Sequence, residues 1–234
     1  ESAIFLNKIV DCFKISSGDN NFFELIQKVL SFKKPVIISL GLLTFSEIIK
    51  LEKFVKKQNN KDVYFLHCIT SYPAEDTEID LKTIELLKKK IKFKIGYSDH
   101  SLGPDAAILA ATLGAEIIEK HFTISKKFSS FRDHVLSADL NEMKIIVKFI
   151  KRMNKLKGKN KTELTKNEKK IYKSARRSIY VNKDLKKNYT IKHNDLICLR
   201  PFKGSNPIDK NNLIGRKLKK NLKKGSVVKI KNVK

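Results

Sequence analysis

Apolar and polar positions along the chain alternate between two textures. Short apolar runs at Phe13–Ser16, Val36–Ser39, Tyr64–Cys68, Phe93–Ser98 and Glu116–Phe122 have the length and composition of buried strands. Each is followed by a longer segment that reads as a helix: Asn20–Phe32, Thr44–Lys57, Ile79–Lys90, Asp105–Leu113 and Asn141–Leu156. Leu81, Ile84 and Leu87 show the three-to-four spacing of an amphipathic helix. Thr44-Phe45-Ser46-Glu47 has the form of a capping box and predicts a helix start. Gly18, Gly96, Gly103 and Gly114 punctuate the joins. Five βα units in a row predict an α/β fold with a parallel sheet. A complete (β/α)8 TIM barrel needs about 250 residues, and the repeat ends near Leu156. The expectation is therefore a barrel domain over 1–156 that lacks about its first three βα units.

Beyond Leu156 the texture changes. Residues 157–173 are polar and lysine-rich and read as a linker. Residues 174–234 carry short strand patterns at Ser178–Val181, Leu196–Leu199 and Val227–Ile230. Turns are predicted at Lys186-Lys187-Asn188 and Lys223-Lys224-Gly225. This is the pattern of a small β-rich domain.

Composition narrows the function classes. No run of 18 or more apolar residues occurs, so no membrane span is expected. Glu1-Ser2-Ala3-Ile4 carries no basic leader, which argues against a signal peptide. Cys12, Cys68 and Cys198 are odd in number, far apart and without a CxxC. That pattern fits a reducing cytoplasm rather than structural zinc or a disulfide framework. The net charge of +26 invites a nucleic-acid reading, but only six of the 50 basic residues are Arg. Specific nucleic-acid readers lean on Arg, and abundant Lys, Asn and Ile fit drift in an AT-rich genome. No nucleic-acid partner is expected, whereas a positive field suits an anionic substrate.

The candidate chemistry sits at the ends of the predicted strands. Gly96-Tyr97-Ser98-Asp99-His100 closes the fourth strand and Glu119-Lys120-His121-Phe122 the fifth. Two neutral imidazoles from adjacent strand ends suit a divalent cation, each with a carboxylate nearby in sequence. Lys14 with Ser16-Ser17-Gly18-Asp19, Ser39-Leu40-Gly41 and Ser98 bring hydroxyls, glycine amides and one cation to successive strand ends. Such a cup suits a phosphate or carboxylate. Tyr72, ahead of Pro73, is expected to aim its hydroxyl at the same mouth. Adjacent His67 and Cys68 fall on opposite faces of their strand and read as buried strand residues, not as a nucleophilic pair.

These stretches resemble the N-acetylneuraminate (sialic acid) synthase family over nearly the whole chain. Phe13 to Asp19, Leu66-His67-Cys68 with Tyr72-Pro73, Gly96 to Gly103 and Gly114 to Thr123 carry the likeness. In the tail, Arg176-Arg177-Ser178-Ile179, Leu199-Arg200-Pro201 and Ile214-Gly215-Arg216-Lys217 resemble the antifreeze-like (SAF) domain that follows the barrel in that family. The resemblance implies condensation of phosphoenolpyruvate with N-acetylmannosamine or a related 2-acetamido sugar. It implies a divalent metal on His100 and His121, usually Mn2+, with Mg2+ as the alternative. Lys14, Ser17, Ser39, Thr70 and Ser98 would contact phosphoenolpyruvate. Tyr72, Glu119 and Asp133 would serve the sugar pocket as catalytic residues. Arg200 would reach the sugar site of the other subunit in a domain-swapped homodimer. Thr70 stands where the family often has Asn, Leu40 interrupts its Ser-Thr-Gly, and Phe131-Arg132-Asp133-His134 replaces its Gly-Pro-Asp-His. With a catalytic Glu and a substrate-binding Lys of the family upstream of this segment, residues 1–234 alone are expected to be inactive. The rival readings are a non-catalytic basic protein that binds polyanions, and a related phosphoenolpyruvate-dependent aldolase-type enzyme for another sugar.

Overall fold

The computed structural model describes residues 1–129, 131–158 and 161–234. It divides into two units, Glu1–Gly158 and Lys159–Lys234. The first unit opens with α1 (Ser2–Leu6) and then alternates: β1 (Phe13–Ile15), α2 (Phe23–Ser31), β2 (Val36–Ser39), α3 (Phe45–Lys57), β3 (Val63–Cys68), α4 (Lys82–Lys90), β4 (Lys94–Asp99), α5 (Asp105–Thr112) and β5 (Ile118–Lys120). The short α6 (Arg132–Leu136) and the long α7 (Leu140–Lys157) follow.

The five strands form one sheet in the order β1-β2-β3-β4-β5, and each neighbouring pair is parallel. Phe13, Ile15, Ile38, Phe65, Ile95 and Tyr97 face the helices. There they meet Ile26, Val29 and Leu30 of α2, Ile48, Leu51 and Val55 of α3, and Ile84 and Leu87 of α4. The other face carries Lys14, Ser39, Cys68 and Ser98, because side chains alternate along a strand. The sheet is strongly curled: Lys14 of β1 and Glu119 of β5 lie on its two edge strands, yet their side chains approach to 3.3 Å. The result is a half-barrel whose concave face is polar at the strand ends.

Local chemistry sets most boundaries. The Thr44–Glu47 capping box forms as expected and starts α3. The helix read from Ile79 begins only at Lys82, because Asp80 has φ +38°, outside the helical region. The strand read as Glu116–Phe122 is three residues long, Ile118–Lys120; beyond it only an isolated bridge, Phe122 to Ala138, remains. The sequence pattern predicts neither α1 nor α6. Each is a five-residue helix, too short to display a period.

The second unit begins with α8 (Lys166–Ala175), followed by an antiparallel pair, β6 (Ser178–Val181) and β7 (Leu196–Leu199). Thus the lysine-rich stretch read as a linker contains a helix, started by a capping box between Thr165 and Glu168. The third strand expected at Val227–Ile230 is reduced to a single bridge between Tyr180 and Val227, and Ile230–Asn232 turns into a 3-10 helix. The two predicted turns hold Asn188 at φ +68° and Gly225 at φ +79°. Ile179, Val181, Ile191, Leu213, Leu218 and Val228 belong to the core of this unit.

Candidate active site

A cleft of about 320 Å³ opens at the C-terminal ends of the five strands. It is lined by Lys14, Ser17, Ser39, Thr70, Tyr72, Ser98, His100, Glu119 and His121. These residues come from five strand ends, and all were singled out from the sequence.

On the β1–β2 side, Lys14 Nζ donates to Ser39 Oγ at 2.9 Å and pairs with Glu119 at 3.3 Å. Lys14 keeps about a third of its side-chain surface exposed (33%), so its ammonium remains open to a ligand. Behind it, the buried Asn20 donates to the carbonyls of Ser39 and Gly41 at 3.0 and 2.8 Å. Asn20 was not singled out from the sequence. A signal was present: it directly follows the Ser-Ser-Gly-Asp turn, where a side-chain amide can pin loop carbonyls. Gly41 leaves room for the hydroxyls around it: a Cβ there would meet Thr70 Oγ1 and lie 2.6 Å from Ser17 Oγ, so both would have to shift. Cys68 lies among these groups, with Sγ 3.7 Å from Ser17 Oγ and 3.9 Å from both Thr70 Oγ1 and His100 Nδ1.

On the β4–β5 side, Ser98 Oγ donates to Glu119 Oε1 at 2.7 Å. The rings of His100 and His121 are 5.3 Å apart at 67°. Tyr72 stacks on His100 at 4.1 Å and meets His121 edge-on at 5.8 Å. His100 Nδ1 lies 2.8 Å from the carbonyl of Ile69. A carbonyl only accepts, so that contact places a proton on Nδ1 and makes Nε2 the nitrogen available to a ligand. Burial pushes the pKa of His121 below the usual imidazole range, and the nearby His100 adds to this, while Asp133 and Glu119 pull the other way. At neutral pH His121 is therefore an uncharged donor. Asp133, on α6, is close enough for its charge to act on this ring. Two imidazoles flanked by two carboxylates fit a divalent cation of borderline hardness. Among the described residues, no group of three or more His, Cys, Asp or Glu side chains converges as a ready-made cage. Water or substrate oxygens would have to complete the shell.

One expectation needs correcting. Asp99, read as a carboxylate beside His100 at the site, turns away from the cleft and is fully buried in an ion pair with Lys120. Strand parity explains it: Ser98 and His100 share one face, and Asp99 takes the other. His67 is likewise behind the sheet, buried against Tyr97, with Nε2 2.8 Å from the Ile79 carbonyl. Arg200 belongs to the second unit, where it is exposed and its Nε donates to the Ala175 carbonyl at 2.8 Å. No helix among the described residues is long and apolar enough to cross a membrane.

The NeuB family model matches residues 1–162, and a SAF domain model matches 176–234. The chain belongs to the NeuB family. It is 36% identical to the pseudaminic acid synthase of Campylobacter jejuni over 222 residues, covering 93% of this chain and 63% of that one. It is also 36% identical to the N,N'-diacetyllegionaminic acid synthase of Legionella pneumophila, covering 92% of this chain and 61% of that one. Among solved structures, the N-acetylneuraminic acid (sialic acid) synthetase of Leptospira borgpetersenii, in complex with citrate, superposes with a TM-score of 0.64 at 35% identity. That match covers 69% of this chain and 56% of the synthetase. The chain thus spans under two thirds of the length of these three relatives.

Proposed function

We propose that this NeuB chain forms the substrate cleft of a nonulosonic acid synthase, which joins phosphoenolpyruvate to the aldehyde of an open-chain 2-acetamido sugar. C3 of the enol attacks the aldehyde carbon, the new alkoxide takes a proton, water adds at C2, and phosphate leaves. The observation that carries the reading is the pairing, in one cleft, of a Lys and hydroxyl cup with two imidazoles. The named synthases among its relatives support it.

In this reading Lys14, Ser17, Ser39, Thr70 and Ser98 hold the phosphate and carboxylate of phosphoenolpyruvate, mainly as an orientation effect. Tyr72, Glu119 and Asp133 line the sugar side, where the carboxylates are placed to hold protons of the sugar hydroxyls and the aldehyde oxygen. A divalent cation, Mn2+ or else Mg2+, would be held by His100 and His121 and would act as a Lewis acid on the aldehyde. The barrel would be completed by three further βα units beyond these five, and a swapped homodimer would bring Arg200 to the sugar site of the other subunit. N-acetylmannosamine or a related sugar is the acceptor, in the cytoplasm.

Calorimetry with phosphoenolpyruvate tests the cleft directly. Saturable binding to residues 1–234 is expected, and its absence overturns the reading. Phosphate release with Mn2+ and a panel of 2-acetamido sugars is expected only when the three preceding βα units of a relative are fused ahead of Glu1. Turnover by residues 1–234 alone overturns the partial-barrel clause.

A further inference from the structure

The site residues of β4 and β5 come in cross-strand pairs. Ser98 stands opposite Glu119, and the next pair along the ladder is Asp99 opposite Lys120. Alternation sends Ser98 and Glu119 into the cleft and Asp99 and Lys120 behind the sheet. His100 and His121 then return to the cleft.

The hidden pair is densely bonded. Lys120 Nζ lies 2.7 Å from Asp99 Oδ2, with side-chain exposures of 1% and 0%. The same ammonium donates to the Ser101 carbonyl at 2.8 Å. Asp99 Oδ1 accepts from Ser101 N, Ser101 Oγ and Tyr97 Oη at 2.9, 2.7 and 3.3 Å. The strand that carries Lys120 is short. It is a three-residue edge strand, and none of its residues is fully buried overall.

The geometry points to Asp99 and Lys120 as a positioning pair, a buried clasp that sets the separation of the inward side chains on either side of it. A buried ion pair is a poor source of stability, because desolvation offsets most of its Coulomb attraction. What this one supplies is a single register and spacing between the two strand ends. One slip along the ladder would bury a charge without its counter-ion. The clasp thereby fixes the distance between His100 and His121, and between Ser98 and Glu119. The inference rests on the functional reading of those four residues, but its test has an arm that needs no metal.

Lys120→Met strands a buried carboxylate and should lower the melting temperature sharply. The double variant Asp99→Leu/Lys120→Met removes both charges and should keep a cooperative melt. In that folded variant, imidazole spectra should lose the through-space contact between the His100 and His121 rings expected in the parent, where the rings are 5.3 Å apart. Mn2+ affinity should fall by about tenfold or more, the scale of losing a supporting contact around a metal site. Lys120→Arg keeps the pair and should keep both signals. Asp99→Asn/Lys120→Met, which retains the Ser101 contacts and leaves no buried charge, gives the same reading if the Leu/Met double variant does not fold. Folded variants with imidazole spectra unchanged from the parent overturn the clasp. A parent that binds no Mn2+ overturns the metal reading instead, and the imidazole spectrum still decides the clasp.

Discussion

The two sides of the cleft are built from opposite chemistry. The β1–β2 side offers an ammonium, hydroxyls and a glycine kept bare for space, with carbonyls tied back by Asn20. The β4–β5 side offers two imidazoles and a carboxylate, stiffened by Tyr72 and by a buried ion pair behind the sheet. One side suits an anion and the other a cation, and the Lys14–Glu119 contact at 3.3 Å joins them. A site made this way can hold two reactants with contrary electrostatic demands, and each side can be disabled while the other is left standing.

The largest expected effect is on the imidazole side. His100→Ala or His121→Ala should weaken Mn2+ binding by about 100-fold or more, since a direct ligand counts for more than a supporting contact. Phosphoenolpyruvate affinity, measured by calorimetry, should stay near the parent value; parallel loss of both would erase the distinction between the sides. Next comes Lys14→Met. Losing a charge-assisted contact of about 1.5–3 kcal/mol corresponds to a drop in phosphoenolpyruvate affinity of about 10- to 100-fold, with Mn2+ binding retained. Smaller still is Gly41→Ala, whose Cβ pushes on the Ser17 and Thr70 hydroxyls. A several-fold loss in phosphoenolpyruvate affinity, about 1 kcal/mol, with an unaltered metal titration would place that glycine in the anion cup.

The smallest effect concerns pH and separates the cleft from the layer behind it. Burial holds His67 below its ordinary pKa of 6.5. The unfolded chain therefore takes up a proton near pH 6.5 that the native state declines. Stability is full above that value and falls as pH drops through it toward the native pKa. Thermal melts at decreasing pH should show this decline, and His67→Gln should flatten it while leaving both ligand affinities intact. A slope untouched by that change would assign the titration to the cleft histidine, His121, whose shift has the same sign.

Much of this was legible from the chain. Apolar runs located the first four strands nearly to the residue, because β2, β3 and most of β4 are buried on both faces and leave a near-continuous apolar signature, while β1 keeps Phe13 and Ile15 on its buried face. The gathering of Lys14, Ser39, Ser98, His100 and His121 followed from their common place at strand ends. The features that the chain alone does not display depend on distance or on direction. The grip of Asn20 on Ser39 and Gly41 joins residues about 20 positions apart. The turn of Asp99 away from the cleft could have been read from parity, but its proximity to His100 in sequence suggested the opposite. The lost third strand of the SAF unit reflects how little a four-residue pattern such as Val227–Ile230 says once only one bridge forms.

The alternation along β4 also bears on how such a chain can change over generations. A single residue gained or lost between Gly96 and His100 would bring the Asp99 carboxylate into the cleft and send an imidazole into the oily layer beneath the helices. The loop after Thr123, with Ile124, Phe128 and Phe131 already facing solvent, has no such bookkeeping. Indels should accordingly accumulate there and be purged from the five residues ending at His100, while the many surface lysines come and go with the base composition of the genome.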